Sequence, residues 1–199
     1  MRYAVKDNFF EEPDFVREIG INLRRMYRAS LDIDSTMWGW RGLRSIPLEN
    51  IWGEHKDYLD NITKKVFNYV WDTLDLKNYK YSDSQKHIED PHITSYYHFL
   101  TNQALKSLPD FHQDKFHKDD VPCAGIVYLS PNPPKNSGTA ILDEKNNRFD
   151  IIENKYNRLL CYDGMLVHGP CNTFGIDKKT GRMTFTFFIH EIKLTGEFD

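Results

Sequence analysis

The chain has 199 residues, of which 40% are hydrophobic and 28% charged, and its formal net charge is −3. That length suits one domain, which can bury roughly 70% of its unfolded surface without a disulfide or metal staple. The balance of 26 Lys+Arg against 29 Asp+Glu argues against nucleic-acid binding driven by an overall positive field.

Cys123, Cys161 and Cys171 are an odd number without CxxC spacing and fit neither a disulfide framework nor a zinc ribbon. No apolar run approaches the ~20 residues of a membrane span, and the N-terminus lacks a signal-peptide core, so a soluble, cytoplasmic chain is expected. Pro13 and Asp14 open a helix that Val16, Ile19, Leu23 and Met26 carry to about Tyr27. Residues 28–54 show no period and read as an irregular wrap. There the cluster of Trp38, Trp40, Arg41 and Arg44 reads as packing in preference to a base-stacking or peptide-binding surface. A second helix is expected from Lys56 to Leu74 on the stripe of Ile62, Val66 and Val70.

After Asp75 the pattern changes to short alternating or apolar segments bounded by turn residues: 84–89, 93–100, 115–119, 123–130, 138–142, 148–153, 158–163, 165–169 and 181–192. The expectation is a mainly β domain over 1–199. Residues 1–80 form its helical support and wrap, and 81–199 form a jelly-roll core of about eight strands.

The residues with chemistry lie in that core. On a strand His117 and Asp119 share one face. With His168, on the short segment closed by Gly169-Pro170, they make two imidazoles and one carboxylate, the set that suits non-haem Fe(II) with open positions. His112-Gln113-Asp114 is a competing His-x-Asp pair; His117/Asp119 is preferred because it connects compactly into the apolar strand at Ala124. Arg182 and Thr184 share one face of the last strand, and a guanidinium with a neighbouring hydroxyl grips a carboxylate.

The order His-x-Asp, distal His, Arg-x-Thr resembles the 2-oxoglutarate/Fe(II)-dependent oxygenases, in their prolyl-hydroxylase-like branch. Cys123-Ala124-Gly125-Ile126-Val127-Tyr128-Leu129-Ser130 resembles the branch's "YLN" strand, and Ser137-Gly138-Thr139 its "GG(T/E)" entry to the next strand. The resemblance covers residues 115–190 and implies a double-stranded β-helix, a cupin-like jelly roll. It implies Fe(II) on His117, Asp119 and His168, with 2-oxoglutarate and O₂ as co-substrates. The far carboxylate of 2-oxoglutarate would be held by Arg182, Thr184 and Tyr128, with Tyr97 as the further aromatic. The loop from Asn172 to Gly181 lengthens the usual interval between the distal histidine and the arginine.

The implied activity is hydroxylation of a protein or peptide side chain, or of an amino acid. Neither a membrane nor a nucleic acid is the expected partner, and the oligomeric state is left open. The alternative is a cupin-like protein that binds a sugar or small molecule without oxygenase chemistry. His98 and His190 read as core or rim histidines.

Overall fold

The computed structural model describes residues 3–24, 26–28, 42–78, 91–102, 111–113, 115–116, 119–120, 123–143 and 145–191. Among these the chain runs β1 (Tyr3–Lys6), α1 (Pro13–Asn22), β2 (Met26–Arg28), β3 (Leu43–Ser45), a one-turn 3₁₀ helix (Leu48–Asn50), α2 (Lys56–Thr73) and a second 3₁₀ turn (Leu76–Asn78). There follow β4 (Pro91–Leu100), β5 (Lys115–Phe116), β6 (Asp119–Asp120), β7 (Cys123–Tyr128), β8 (Thr139–Asp143), β9 (Arg148–Ile152), β10 (Leu159–Asp163), β11 (His168–Pro170) and β12 (Arg182–Glu191).

The larger sheet has the order β1-β10-β7-β12-β4-β3-β2, and a smaller sheet, β11-β8-β9, lies against it. Each strand pair within them is antiparallel. Period-2 alternation divides the large sheet into two faces. From β12, Met183, Phe185, Phe187 and Ile189 join a core with Val16 and Ile19 of α1 and with Leu59, Ile62, Val66 and Val70 of α2. From the opposite face, Phe188 packs with Ala124, Ile126, Tyr128, Leu160 and Tyr162 against Ile141 of the small sheet. The architecture is the double-stranded β-helix with helices on one outer face, as the sequence leads one to expect.

Some local expectations change. Helix α1 stops at Asn22, because Leu23 turns to φ −57°, ψ 121° and Lys178 Nζ donates to its carbonyl at 2.8 Å. Residues 26–28 then pair with β3 at the sheet edge, satisfying backbone groups that a longer helix would have used internally. The irregular stretch 28–54 thus contains β3 and a 3₁₀ turn among its described residues, and Tyr3–Lys6 adds an unexpected strand beside β10. The segment 165–169 is a strand only from His168. Before it, the Asp163 carboxylate accepts the Met165 N–H at 2.9 Å, forming a turn. The segment 115–119 is divided into β5 and β6, which pair with each other. The strand expected at 84–89 lies outside the described residues.

Candidate active site

Arg182 is the first residue of β12 and lies on the face turned toward the small sheet, only 4% exposed. Its Nε donates to the Ser137 carbonyl at 3.2 Å and one terminal nitrogen to the Thr139 hydroxyl at 3.2 Å. Its guanidinium carbon stands 5.4 Å from the centre of the Tyr128 ring. The Tyr128 hydroxyl shares a hydrogen bond with Thr139 Oγ1 at 2.7 Å. Among the described residues these acceptors are all neutral, so a buried cation has hydrogen bonds but no countercharge. That is a costly state unless an anion completes it.

Thr184, opposite Tyr128 across the sheet, adds a buried hydroxyl bonded to Thr186 Oγ1 at 3.0 Å. Burial pushes the Tyr128 phenol up, against the pull of Arg182, so it remains a protonated donor. An anion of carboxylate shape here meets a guanidinium fork and hydroxyl groups on one wall.

The second half of the site is a pair of imidazoles. His168 begins β11 and is 4% exposed. Its Nδ1 lies 2.9 Å from the Leu166 carbonyl, an obligate acceptor, so in the neutral ring Nδ1 bears the proton and Nε2 the lone pair. His112 pairs with it strand to strand: the His112 N–H donates to the His168 carbonyl at 2.9 Å and the His168 N–H returns the bond at 2.8 Å. Residues paired in this way put their side chains on the same face. The two ring centres are 4.7 Å apart, and the His168 ring is 4.3 Å from that of Tyr162. Two imidazoles bound at a right angle through nitrogens ~2.1 Å from one cation have centres roughly 4.5–5 Å apart. The observed spacing fits a shared cation.

The structure therefore brings Arg182, Thr184, Tyr128 and His168 to one interior. The histidine it sets beside His168 is His112. His117 and Asp114 lie outside the described residues, and Asp119 is described in its backbone alone, paired with Phe116. Among the described residues no third metal-binding side chain joins the two imidazoles. Tyr97 requires correction. It points to the helical side, where its hydroxyl donates to the Val16 carbonyl at 2.8 Å inside the core. The β4 ring on the Arg182 side is the adjacent Tyr96, opposite Thr186.

Sequence reasoning also missed Thr139 as a contact of Arg182, although it ends the Ser-Gly-Thr motif, and Tyr162 as the ring beneath His168. Alternation along 158–163 from the apolar Leu160 was the signal for the latter.

Neither a protein-family profile nor a curated protein sequence matches the chain. Its fold is nonetheless similar to solved structures. A prolyl-4-hydroxylase from Pseudomonas putida superimposes with a TM-score of 0.60 at 14% identity, covering 96% of this chain and 93% of the other. A Trichoplax adhaerens prolyl hydroxylase, solved with a peptide fragment of a hypoxia-inducible factor, gives 0.55 at 12% identity, covering 95% of this chain and 83% of that one. A viral collagen prolyl hydroxylase from Paramecium bursaria Chlorella virus-1, solved as a 2-oxoglutarate complex, gives 0.54 at 16% identity, with coverage of 96% and 97%. The fold is that of the prolyl-hydroxylase-like oxygenases, the branch the sequence motifs resemble.

Proposed function

We propose that this protein is an Fe(II)/2-oxoglutarate-dependent dioxygenase that hydroxylates a protein or peptide side chain or an amino acid. One observation carries the reading: buried Arg182, answered only by neutral acceptors among the described residues, shares an interior with the paired imidazoles of His112 and His168. A dicarboxylate co-substrate supplies the missing countercharge at one end and a metal chelate at the other.

Iron held by His112, Asp114 and His168, in place of the pair at 117 and 119, is the ligand set that the His112–His168 pairing favours. Such a centre supplies the open positions at which O₂ and a 2-oxo acid meet. The overall balance is R–H + 2-oxoglutarate + O₂ → R–OH + succinate + CO₂. The chain's own residues do the rest. Arg182 neutralises the distal carboxylate, Tyr128 donates to it, and Leu166 holds the His168 tautomer. Ile126, Leu160 and Phe188 keep the interior apolar. The substrate class draws support from the peptide bound in the Trichoplax neighbour.

The test is succinate formation from 2-oxoglutarate under air with added Fe(II), abolished by a chelator and by Arg182→Met. A folded protein that releases no succinate and binds no 2-oxoglutarate would instead be a jelly-roll binding module.

A further inference from the structure

A cavity of about 290 Å³ lies on the helical side of the large sheet, between α2 and the start of β4. Ile93 and Ser95 of β4 line it. Alternation turns Thr94 and Tyr96 to the other side of the sheet, where Tyr96 packs with the interior cluster. The sheet thus separates this cavity from Arg182 and the paired imidazoles. On α2 the wall is built by Asp60, Thr63, Lys64 and Phe67, spaced i, i+3, i+4, i+7 beside the buried stripe of Leu59, Ile62, Val66 and Val70.

Two hydroxyl groups of this lining have no partner among the described residues. Ser95 is 1% exposed, and neither its Oγ nor the buried Thr63 Oγ1 makes a hydrogen bond. A hydroxyl removed from water without compensation is destabilising, so such groups are uncommon, and here two border one space. The acids of the lining are, by contrast, already paired: Glu49 with His92 at 3.6 Å and Asp60 with Lys56. Lys64 is exposed. Phe67 stacks on Trp71 with ring centres 5.4 Å apart and joins Pro91 and Ile93 as the apolar surface of the cavity.

We infer that this cavity is a second binding site, for a small uncharged molecule with an apolar ring and a hydroxyl group. The ring covers Phe67, Pro91 and Ile93 and removes apolar surface from water. Its hydroxyl supplies the hydrogen-bonding partner that Ser95 and Thr63 lack. An apolar cavity of roughly 150 Å³ takes benzene, so this volume has room for a ring with a substituent. A carboxylate or ammonium group would lose hydration and meet no unpaired buried charge among the described residues. A molecule held here lies across the sheet from the oxidising centre and is therefore not its substrate. The inference goes beyond the oxygenase reading and stands without it.

The probes are phenol and toluene, alike in shape except for the hydroxyl, titrated into the full chain without metal or 2-oxoglutarate and followed by amide NMR shifts. Phenol should shift the amides of 60–67 and 91–95 with a Kd of about 1 mM, the scale for a molecule of its size. Thr63→Val combined with Ser95→Ala removes only hydroxyls without partners, so the urea midpoint of the double variant should equal or exceed that of wild type. In it phenol should bind about 10-fold more weakly, the worth of one hydrogen bond, while the Kd for toluene stays within about twofold. Benzoate and benzylammonium should bind wild type more weakly than phenol does.

Unchanged phenol affinity in the double variant, equal weakening of phenol and toluene, or a charged probe that binds more tightly than phenol would each overturn the inference. So would shifts centred on Tyr128 and Arg182, or no saturable shift up to about 20 mM phenol. Each of these results leaves the oxygenase reading untouched, since that reading is decided by succinate formation.

Discussion

Replacing Arg182 with Met removes the cation while keeping most of the side-chain volume. In the folded protein without ligand the loss is modest. The Ser137 carbonyl still receives Asn154 Nδ2 at 3.5 Å, and the Thr139 hydroxyl keeps Tyr128. With 2-oxoglutarate the loss is large, since two charge-assisted hydrogen bonds at about 1.5 kcal/mol each amount to ~3 kcal/mol, more than 100-fold in Kd.

Thermal shift separates the two states. With Mn(II) present and 2-oxoglutarate at 100 times the wild-type Kd, binding adds about 2.7 kcal/mol to wild type but only ~0.4 kcal/mol to the variant. At about 2–4 °C per kcal/mol for a chain of this length, wild type gains roughly 5–10 °C and Arg182→Met about 1 °C. A variant that keeps the wild-type shift would refute the placement of the co-substrate carboxylate at Arg182.

Other consequences follow from the same packing and charges. A methyl group on Gly20 would run into Met183 and the ring of Tyr97, the latter at 2.5 Å, so Gly20→Ala should cost about 1–2 kcal/mol in urea denaturation despite alanine's better helix propensity. Hydrogen bonds from Arg158 and then Lys155 hold the Asp7 carboxyl well below the usual range. A depressed carboxyl stabilises above its unfolded value of about 3.9 and loses that contribution as pH falls toward its folded value. Asp7 is partly exposed, so Asp7→Asn should cost only ~0.5–1 kcal/mol at pH 7, and the gap should narrow below about pH 4. Burial pushes the Cys161 thiol up to about 12, and Cys123 is equally enclosed. Iodoacetamide at pH 8 should therefore label native protein at half-buried Cys171 alone, with the other two reacting in denaturant.

What the sequence disclosed followed its periodicities. The alternation from Arg182 to Phe188 correctly placed Arg182 and Thr184 on one face and the phenylalanines at 185 and 187 on the other. The α2 stripe was equally clear. The three-residue strands at 26–28 and 43–45 are too short to show a period, and only pairing creates them, that of 43–45 with β4 and that of 26–28 with 43–45.

Tyr97 and Tyr96 show how a one-residue difference exchanges core for interior, a choice that local sequence leaves open. The two His-x-Asp pairs pose the same problem over longer range. Both have the right spacing, and the distinguishing feature is a backbone pairing between His112 and His168 that no local pattern encodes. Arg44 sat in a segment without period, so its face became visible only through register with His98.

The most direct test of the site is anaerobic addition of Fe(II) and 2-oxoglutarate, followed by its visible charge-transfer band, across wild type, His112→Ala, His117→Ala and His168→Ala. The band is expected in wild type and in His117→Ala, and its loss is expected in His112→Ala and His168→Ala with folding intact by circular dichroism. A band that survives without His112 and disappears without His117 would contradict the proposed iron ligands. No band in folded wild-type protein would contradict the oxygenase assignment itself.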